Sequence, residues 1–405
     1  MAQRRVAITG LGVISALGRD RHEFWQALRQ GRSGIAAIEG ADRTQLRFAN
    51  GAEVRNYNSL DHFPQKEADL LDRFAQFAVI PAREAIAASG LEWTPERRRR
   101  TAIVTGCCVG GQATEDAGFV DLYRDRRGRV HPLTIPRIMA NAGASYLSME
   151  FGVTGPVYTV STACSSANHA IGQAFWMVRE GIVDLALTGG SEAIFSLGFL
   201  KAWEAMRVVA PDTCRPFSRD RKGLILGEGG AMLVLEPLEA ARARGAKIFA
   251  ELAGFGMSSD AHHITQPSVD GPASAMRLAL EDAALDAEQV GYINAHGTGT
   301  PANDPTETAA IRAVFGAHAA KLGVSSTKSM HGHALGAAGA IEAVATTLAL
   351  AEGVLPPTAN YLGLDPQCDL DVIPNTARER RVEYALSNSF AFGGLNAVLA
   401  FRAWN

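Results

Sequence analysis

Short, almost wholly apolar runs alternate along the chain with longer stretches whose apolar positions recur at helical spacing. The short runs, at 6–9, 102–105, 157–160, 185–188, 231–235, 248–252 and 398–401, predict strands. The longer stretches, at 73–88, 167–179, 273–284 and 337–351, predict helices. Strand runs that are apolar throughout, with no alternation, belong to a sheet covered on both faces by helices. The chain is therefore expected to be α/β.

An internal echo refines this expectation. The segment around Gly10-Leu11-Gly12 resembles that around Gly254-Phe255-Gly256, and Ser161-Thr162-Ala163-Cys164-Ser165 resembles Ser325-Ser326-Thr327-Lys328-Ser329. Two echoes in the same order, at unequal offsets, predict a duplicated fold whose first half carries an insertion. The division falls near Gly245, giving halves 1–245 and 246–405. Gly10-Leu11-Gly12 reads as a structural turn and not as a dinucleotide loop, because Ser15 stands where the third glycine of that motif belongs. The run Arg97 to Arg100 reads as a solvated charged surface.

Composition narrows the function. At 405 residues, with 47% hydrophobic and 20% charged positions, the chain has the make-up of a large packed domain pair. A net charge of −3 lacks the basic excess of nucleic-acid or anionic-membrane binders. The five cysteines, Cys107, Cys108, Cys164, Cys214 and Cys368, form no CxxC pair, which fits reduced thiols. With no secretory leader pattern and no long uninterrupted apolar run, a cytoplasmic location is expected.

Chemistry concentrates in three places. Cys164 follows an apolar strand and precedes a helix start, where unpaired amides and the helix dipole are expected to lower a thiol's pKa. His296, in Asn294-Ala295-His296-Gly297-Thr298-Gly299-Thr300, and Lys328 with His331 and His333 likewise follow apolar runs, at the strand ends where α/β sites form. The histidines admit a metal cluster, but no carboxylate recurs with them at metal-site spacing.

Together with the tail Asn388-Ser389-Phe390-Ala391-Phe392-Gly393-Gly394-Leu395-Asn396, these motifs, in order along essentially the whole chain, resemble the elongating type II β-ketoacyl-acyl-carrier-protein synthases. The resemblance implies a thiolase fold, two duplicated halves in a five-layer αβαβα sandwich, and usually a homodimer. It implies a decarboxylative Claisen condensation between an acyl chain held on Cys164 and a malonyl group on an acyl carrier protein. No cofactor is implied beyond the phosphopantetheine arm of the carrier.

The same resemblance distributes roles. Backbone N–H groups of Cys164 and Phe392 would form an oxyanion hole, and neutral His296 and His333 would stabilise the enolate. Lys328 would orient His333 or the site's polar network, with Glu307 as its carboxylate partner. Thr298 and Thr300 would hydrogen-bond the pantetheine arm, and Asn294, Glu342, Ser387 and Asn388 would hold a buried monovalent cation. Val109 would border the acyl tunnel with Phe392 as its gate, and Lys66, Arg129 and Arg207 would dock the acidic carrier. Cys108 for Gly, His331 for Thr and Leu395 for Thr depart from the housekeeping pattern toward the nodulation-factor and polyene-forming condensing enzymes. A chain-length-setting subunit would lack the nucleophile, and a degradative thiolase would carry a second cysteine near the C-terminus. An active subunit in a heterodimer with a chain-length factor remains as the alternative assembly.

Overall fold

A computed structural model describes residues 3–404. In its first half lie β1 (Val6–Ser15), β2 (Thr101–Gly106), β3 (Val157–Val160), β4 (Leu185–Glu192) and β5 (Gly229–Pro237). The second half holds β6 (Ala250–Ser259), β7 (Val290–Asn294), β8 (Gly323–Ser325), β9 (Tyr384–Ala391) and β10 (Leu395–Ala403). Among the described residues these ten join edge to edge in the order β8-β7-β9-β10-β6-β1-β5-β4-β2-β3. Counted outward from the β1–β6 seam, the two halves repeat one order: first, fifth, fourth, second, third. Strand directions repeat too, since β2 runs parallel to β3 and β4 as β7 does to β8 and β9.

Five principal helices complete the layers: α1 (Arg73–Ser89), α2 (Ser166–Arg179), α3 (Asp270–Asp282), α4 (Asn303–Phe315) and α5 (Ala338–Glu352). α1 covers β1, β5 and β4 on one outer face, and α3, with α4 beside it, covers β6 and β10 on the other. Between the two halves of the sheet lie α2 and α5, packed on each other and on strands of both halves. This is the five-layer αβαβα arrangement. β1, β2 and β4 are buried at every position, as uniformly apolar strands require. The segment Leu335–Glu352 is apolar enough to cross a membrane, with mean hydropathy 1.3, yet 89% of it is buried in this middle layer.

The predicted turn at Gly10-Leu11-Gly12 is strand instead, for β1 runs unbroken to Ser15. A Cβ at Gly10 or Gly12 would collide with the carbonyl oxygens of Ala85 or Pro81 in α1. In the second half, Gly254 and Gly256 meet the Ala279 and Ala275 carbonyls of α3 in the same way. The glycine echo thus has a packing cause: each half's first strand lets its outer helix approach backbone to backbone. The arginine run is also not simply solvated. Arg98 reaches the Phe151 carbonyl and lies 5.5 Å over Trp93, while Arg100 binds Asp184 at 2.9 Å, so the run ties the edge of the first half together.

Candidate active site

The parallel strands of both halves end on a common rim. From it emerge the loops after β2 (Cys107 to Gly110), β3 (Cys164), β7 (His296), β8 (Lys328) and β9 (Phe392). Cys164, His296, His333, Thr298, Thr300 and Phe392 all line one cleft of about 250 Å³. Two halves, far apart in sequence, therefore contribute to a single site.

Local structure presents each group. Before Cys164 the chain turns through Ala163, held at φ +50°, a left-handed conformation that costs a non-glycine residue energy and marks a functional turn. Ser165 and Ser166 hydroxyls donate to the carbonyls of Thr162 (2.9 Å) and Ala163 (2.7 Å) and lock that turn. Burial pushes the Cys164 thiol up to about 11, while Lys328 and the backbone N–H groups of Phe392 and Cys164 pull it down. The lowered pKa expected from the helix start is thus overturned: removal of the sulfur from water outweighs the neighbouring charge and amides.

Lys328 also departs from expectation. Its ammonium, fully buried, pairs with Glu342 of α5 and lies 3.4 Å from His296 Nδ1. It is therefore Glu342, not Glu307, that balances the charge, and of the two alternatives for the lysine it is the polar network, through His296, that it meets. Glu307 instead accepts the backbone N–H groups of His296 (2.8 Å) and Gly297 (2.7 Å), anchoring the loop after β7. The adjacent Asp304 accepts from Phe217 N (2.7 Å) and Gly299 N (3.1 Å).

The two imidazoles meet edge-on with centroids 5.4 Å apart. His296 Nδ1 faces an ammonium that can only donate, and His333 Nδ1 accepts the Leu335 N–H at 3.2 Å. Both rings therefore carry their proton on Nε2. Burial first, then Lys328 and a neighbouring imidazole, push both far below the usual histidine range, so each is neutral at working pH. The site offers a buried sulfur whose charged form the N–H groups of Phe392 and Cys164 favour, and two neutral imidazoles lining the same cleft. His331 belongs to neither arrangement, since its Nε2 is spent on Thr327 Oγ1 at 3.0 Å.

Comparison with known proteins places this geometry. Residues 3–241 match the model of the beta-ketoacyl synthase N-terminal domain and residues 249–362 that of the C-terminal domain. Nodulation protein E of Rhizobium sp. (strain N33) is 50% identical over 401 residues, covering 98% of this chain and 99% of that protein. The 3-oxoacyl-[acyl-carrier-protein] synthase 2 of Synechocystis sp. is 41% identical over 413 residues, covering 100% and 99%. The solved ishigamide ketosynthase/chain length factor superposes with a TM-score of 0.95 at 39% identity, with both chains covered completely. The chain belongs to the beta-ketoacyl synthase family. Its fold is the thiolase fold.

In this synthase Cys108 and Val109 do not line the open cleft. They pack, as Phe392 does, against an apolar cluster that includes Leu200, Trp203, Leu224, Leu226 and Leu335, and Trp203, Leu224 and Phe392 line the cleft as well. The residue that holds them, Glu192, was missed by sequence reasoning. Fully buried at the end of β4, it accepts the N–H groups of Cys108 (2.7 Å), Val109 (3.2 Å) and Gly336 (3.0 Å). Its signal was a carboxylate terminating an apolar strand. Burial pushes it up to about 7 despite those donors.

Thr298 and Thr300 share a hydroxyl contact of 2.9 Å at the cleft. Of the docking candidates, Arg207 stands exposed at the cleft mouth, joined there by Lys222, which sequence reasoning missed. Lys66 and Arg129 are exposed elsewhere and do not line it. Beneath the site, Asn294 Oδ1, Glu342 Oε2, Ser387 Oγ and Asn388 Oδ1 are all buried with no hydrogen-bond partner. Orphaned buried oxygens are rare in native structures, and a carboxylate, two amide carbonyls and a hydroxyl form a hard donor set. Their donor types are those a monovalent cation takes.

Proposed function

We propose that this synthase condenses an acyl group, held on Cys164, with a malonyl group carried by an acyl carrier protein, and releases a β-ketoacyl carrier two carbons longer. The observation that carries the reading is the opening of Cys164, His296, His333 and Phe392 onto one cleft.

In the first step the Cys164 sulfur attacks the acyl thioester carbon, the carbon–sulfur bond to the carrier breaks, and the thiol proton ends on the departing pantetheine sulfur. No standing thiolate is required, in keeping with a thiol held protonated at rest. The tetrahedral oxyanion lies in the hole formed by Cys164 and Phe392 N–H. Next the malonyl carboxylate leaves as carbon dioxide, and the bonding pair moves into an enolate whose oxygen takes the Nε2–H groups of His296 and His333. Neutral imidazoles stabilise that oxygen without readily protonating the carbanion. Finally the carbanion attacks the acyl carbonyl on Cys164, the carbon–sulfur bond breaks, and the sulfur regains a proton from solvent.

Asn294, Glu342, Ser387 and Asn388 would hold a monovalent cation; when bound it supplies positive charge that fixes the β7 and β9 ends. Thr298 and Thr300 would position the pantetheine arm, and Arg207, with Lys66 and Arg129 farther off, would meet the acidic carrier. The division into functional halves at residues 245 and 246 belongs to the same reading, as does a cytoplasmic location, supported by five free thiols.

A second assembly, the active member of a heterodimer with a chain-length-setting partner, is supported by the similarity to a ketosynthase/chain length factor. Phe119, Tyr123, Leu133 and Ile135 are exposed apolar side chains of the kind a homodimer or heterodimer partner would cover. Incubation with acyl- and malonyl-carriers should give acylated Cys164, carbon dioxide and an extended product by mass spectrometry, none of it with Cys164→Ser. A wild-type chain that never condenses, alone or with a partner found by light scattering, would sink the reading.

A further inference from the structure

Trp203 stands apart from every role above, yet its indole is only 8% exposed and lines the cleft beside Cys164. It projects from the helix Leu197–Met206, where Phe199 braces it edge-on at 6.4 Å and 75°. Its other neighbour is Phe392, whose ring stacks on it with centroids 6.2 Å apart and planes at 25°. Phe392 itself lines the cleft and packs on the apolar cluster of Leu200, Leu224 and Leu335 that Cys108 and Val109 also touch. The two residues after it, Gly393 (φ +84°) and Gly394 (φ +71°), occupy the left-handed region, and the space beside Gly393 is nearly empty. The Phe392 ring therefore hangs on a permissive backbone. Backbone hydrogen bonds from Gly393 to Ile264 (2.8 Å) and from Asp260 to Gly394 (2.9 Å) hold the chain there, and the ring itself is held by its contact to a tryptophan on a helix.

We propose that Trp203 is the positioning residue for Phe392: its indole holds that ring across the way from Cys164 into the apolar cluster, and so sets which acyl chains load. This rests on the synthase reading above. A short acyl group reaches the sulfur without entering the cluster, whereas a long one displaces the Phe392 ring and breaks the stack. The contact thus acts selectively against long chains. Arg207 closes the same helix at its C-terminal end, in the left-handed conformation at φ +57° and exposed at the cleft mouth, so the helix that braces the ring also carries a candidate carrier contact.

The test measures single-turnover loading of Cys164 by intact-protein mass spectrometry, with a bacterial acyl carrier protein bearing hexanoyl or hexadecanoyl groups. Loss of one aromatic stack predicts that Trp203→Ala raises the hexadecanoyl-to-hexanoyl rate ratio by about two- to tenfold. Trp203→Phe, which keeps a ring, should restore the wild-type ratio; Trp203→Leu, which keeps apolar volume without the ring, should behave as the alanine variant even if that one folds poorly. In a Phe392→Ala background the Trp203 substitution should no longer move the ratio. An unchanged ratio in Trp203→Leu, or an equal effect of Trp203→Ala with and without the Phe392 ring, overturns the proposal while leaving the synthase reading intact. A wild-type chain that loads neither carrier overturns both.

Discussion

Lys328→Met removes the ammonium that binds Glu342 and His296 while keeping an unbranched stem in a fully buried site. His296 Nδ1 then lacks the donor that ties its proton to Nε2, so the enolate loses a preorganised hydrogen bond. Loss of one such donor costs about 2.7–4 kcal/mol, or roughly 100- to 1000-fold in rate. Cys164 loses only the pull of a nearby charge, with its neighbouring backbone N–H groups retained, so loading should fall much less. Malonyl-carrier decarboxylation, followed by carbon dioxide release, should therefore suffer far more than acyl loading, followed by mass. The variant also strands Glu342. Burial already raises that carboxyl from 4.5 to about 7 beside the lysine, and without it the pKa rises further. A raised carboxyl contributes stability that is fully present below its unfolded pKa and lost as pH rises through the folded one. The variant should thus melt near the wild-type temperature in mild acid and lose about 3–5 kcal/mol above neutrality, and adding Glu342→Gln should remove that pH dependence. Equal losses in loading and decarboxylation, or a pH-independent deficit, would refute the reasoning.

Cys108→Gly empties part of the apolar cluster behind the cleft and should lengthen the acyl chains accepted, read from the product distribution by mass spectrometry; an unchanged distribution would show that Cys108 does not border the tunnel. Arg207→Glu should raise KM for the acyl carrier about fivefold at low ionic strength, with the gap closing toward about 0.5 M salt, because an exposed charge acts through a screened field. Potassium or sodium added to cation-depleted protein should raise Tm, and Ser387→Ala should blunt the rise; a Tm indifferent to both ions would remove the cation from the reading.

Much of this was readable from residue order because the relevant signals are local. Uniformly apolar runs located seven of the ten strands, but β1 and β6 continue six and seven residues past their runs, and β7, β8 and β9 were not among the seven; helical spacing located α1, α2, α3 and α5. The errors share a different cause, since each turned on long-range packing. Gly10-Leu11-Gly12 reads as a turn until α1 is laid across it. Lys328 chose Glu342 because α5 carries that carboxylate under the turn after β8, while Glu307 lies on α4 and is consumed by loop amides. One glutamate, with Thr346 and Thr347, in the apolar stretch before the terminal Glu352 was the available sign that Glu342 needs a partner. The direction of the Cys164 pKa failed for a related reason: the helix start is visible in the sequence, whereas the depth at which the sulfur sits is not.

Duplication explains why a single fold could assemble this chemistry. The echo that matches Val160 to Val324 also matches Cys164 to Lys328, so the nucleophile and the buried cation that acts on it stand at equivalent turns, each after the third strand of its half. The seam between β1 and β6 and the shared middle layer of α2 and α5 bring those turns to one rim. Neither half contains a working set: the first supplies the sulfur and the pocket wall held by Glu192, and the second supplies both imidazoles, the lysine and the Phe392 amide. The first half expressed alone would therefore retain its nucleophile without the donors for either charged intermediate. The buried faces of α2 and α5 are shared by both halves, so separating them would also expose the middle of the core. Catalysis and folding are in this sense one requirement, since the contact that closes the core is the contact that completes the site.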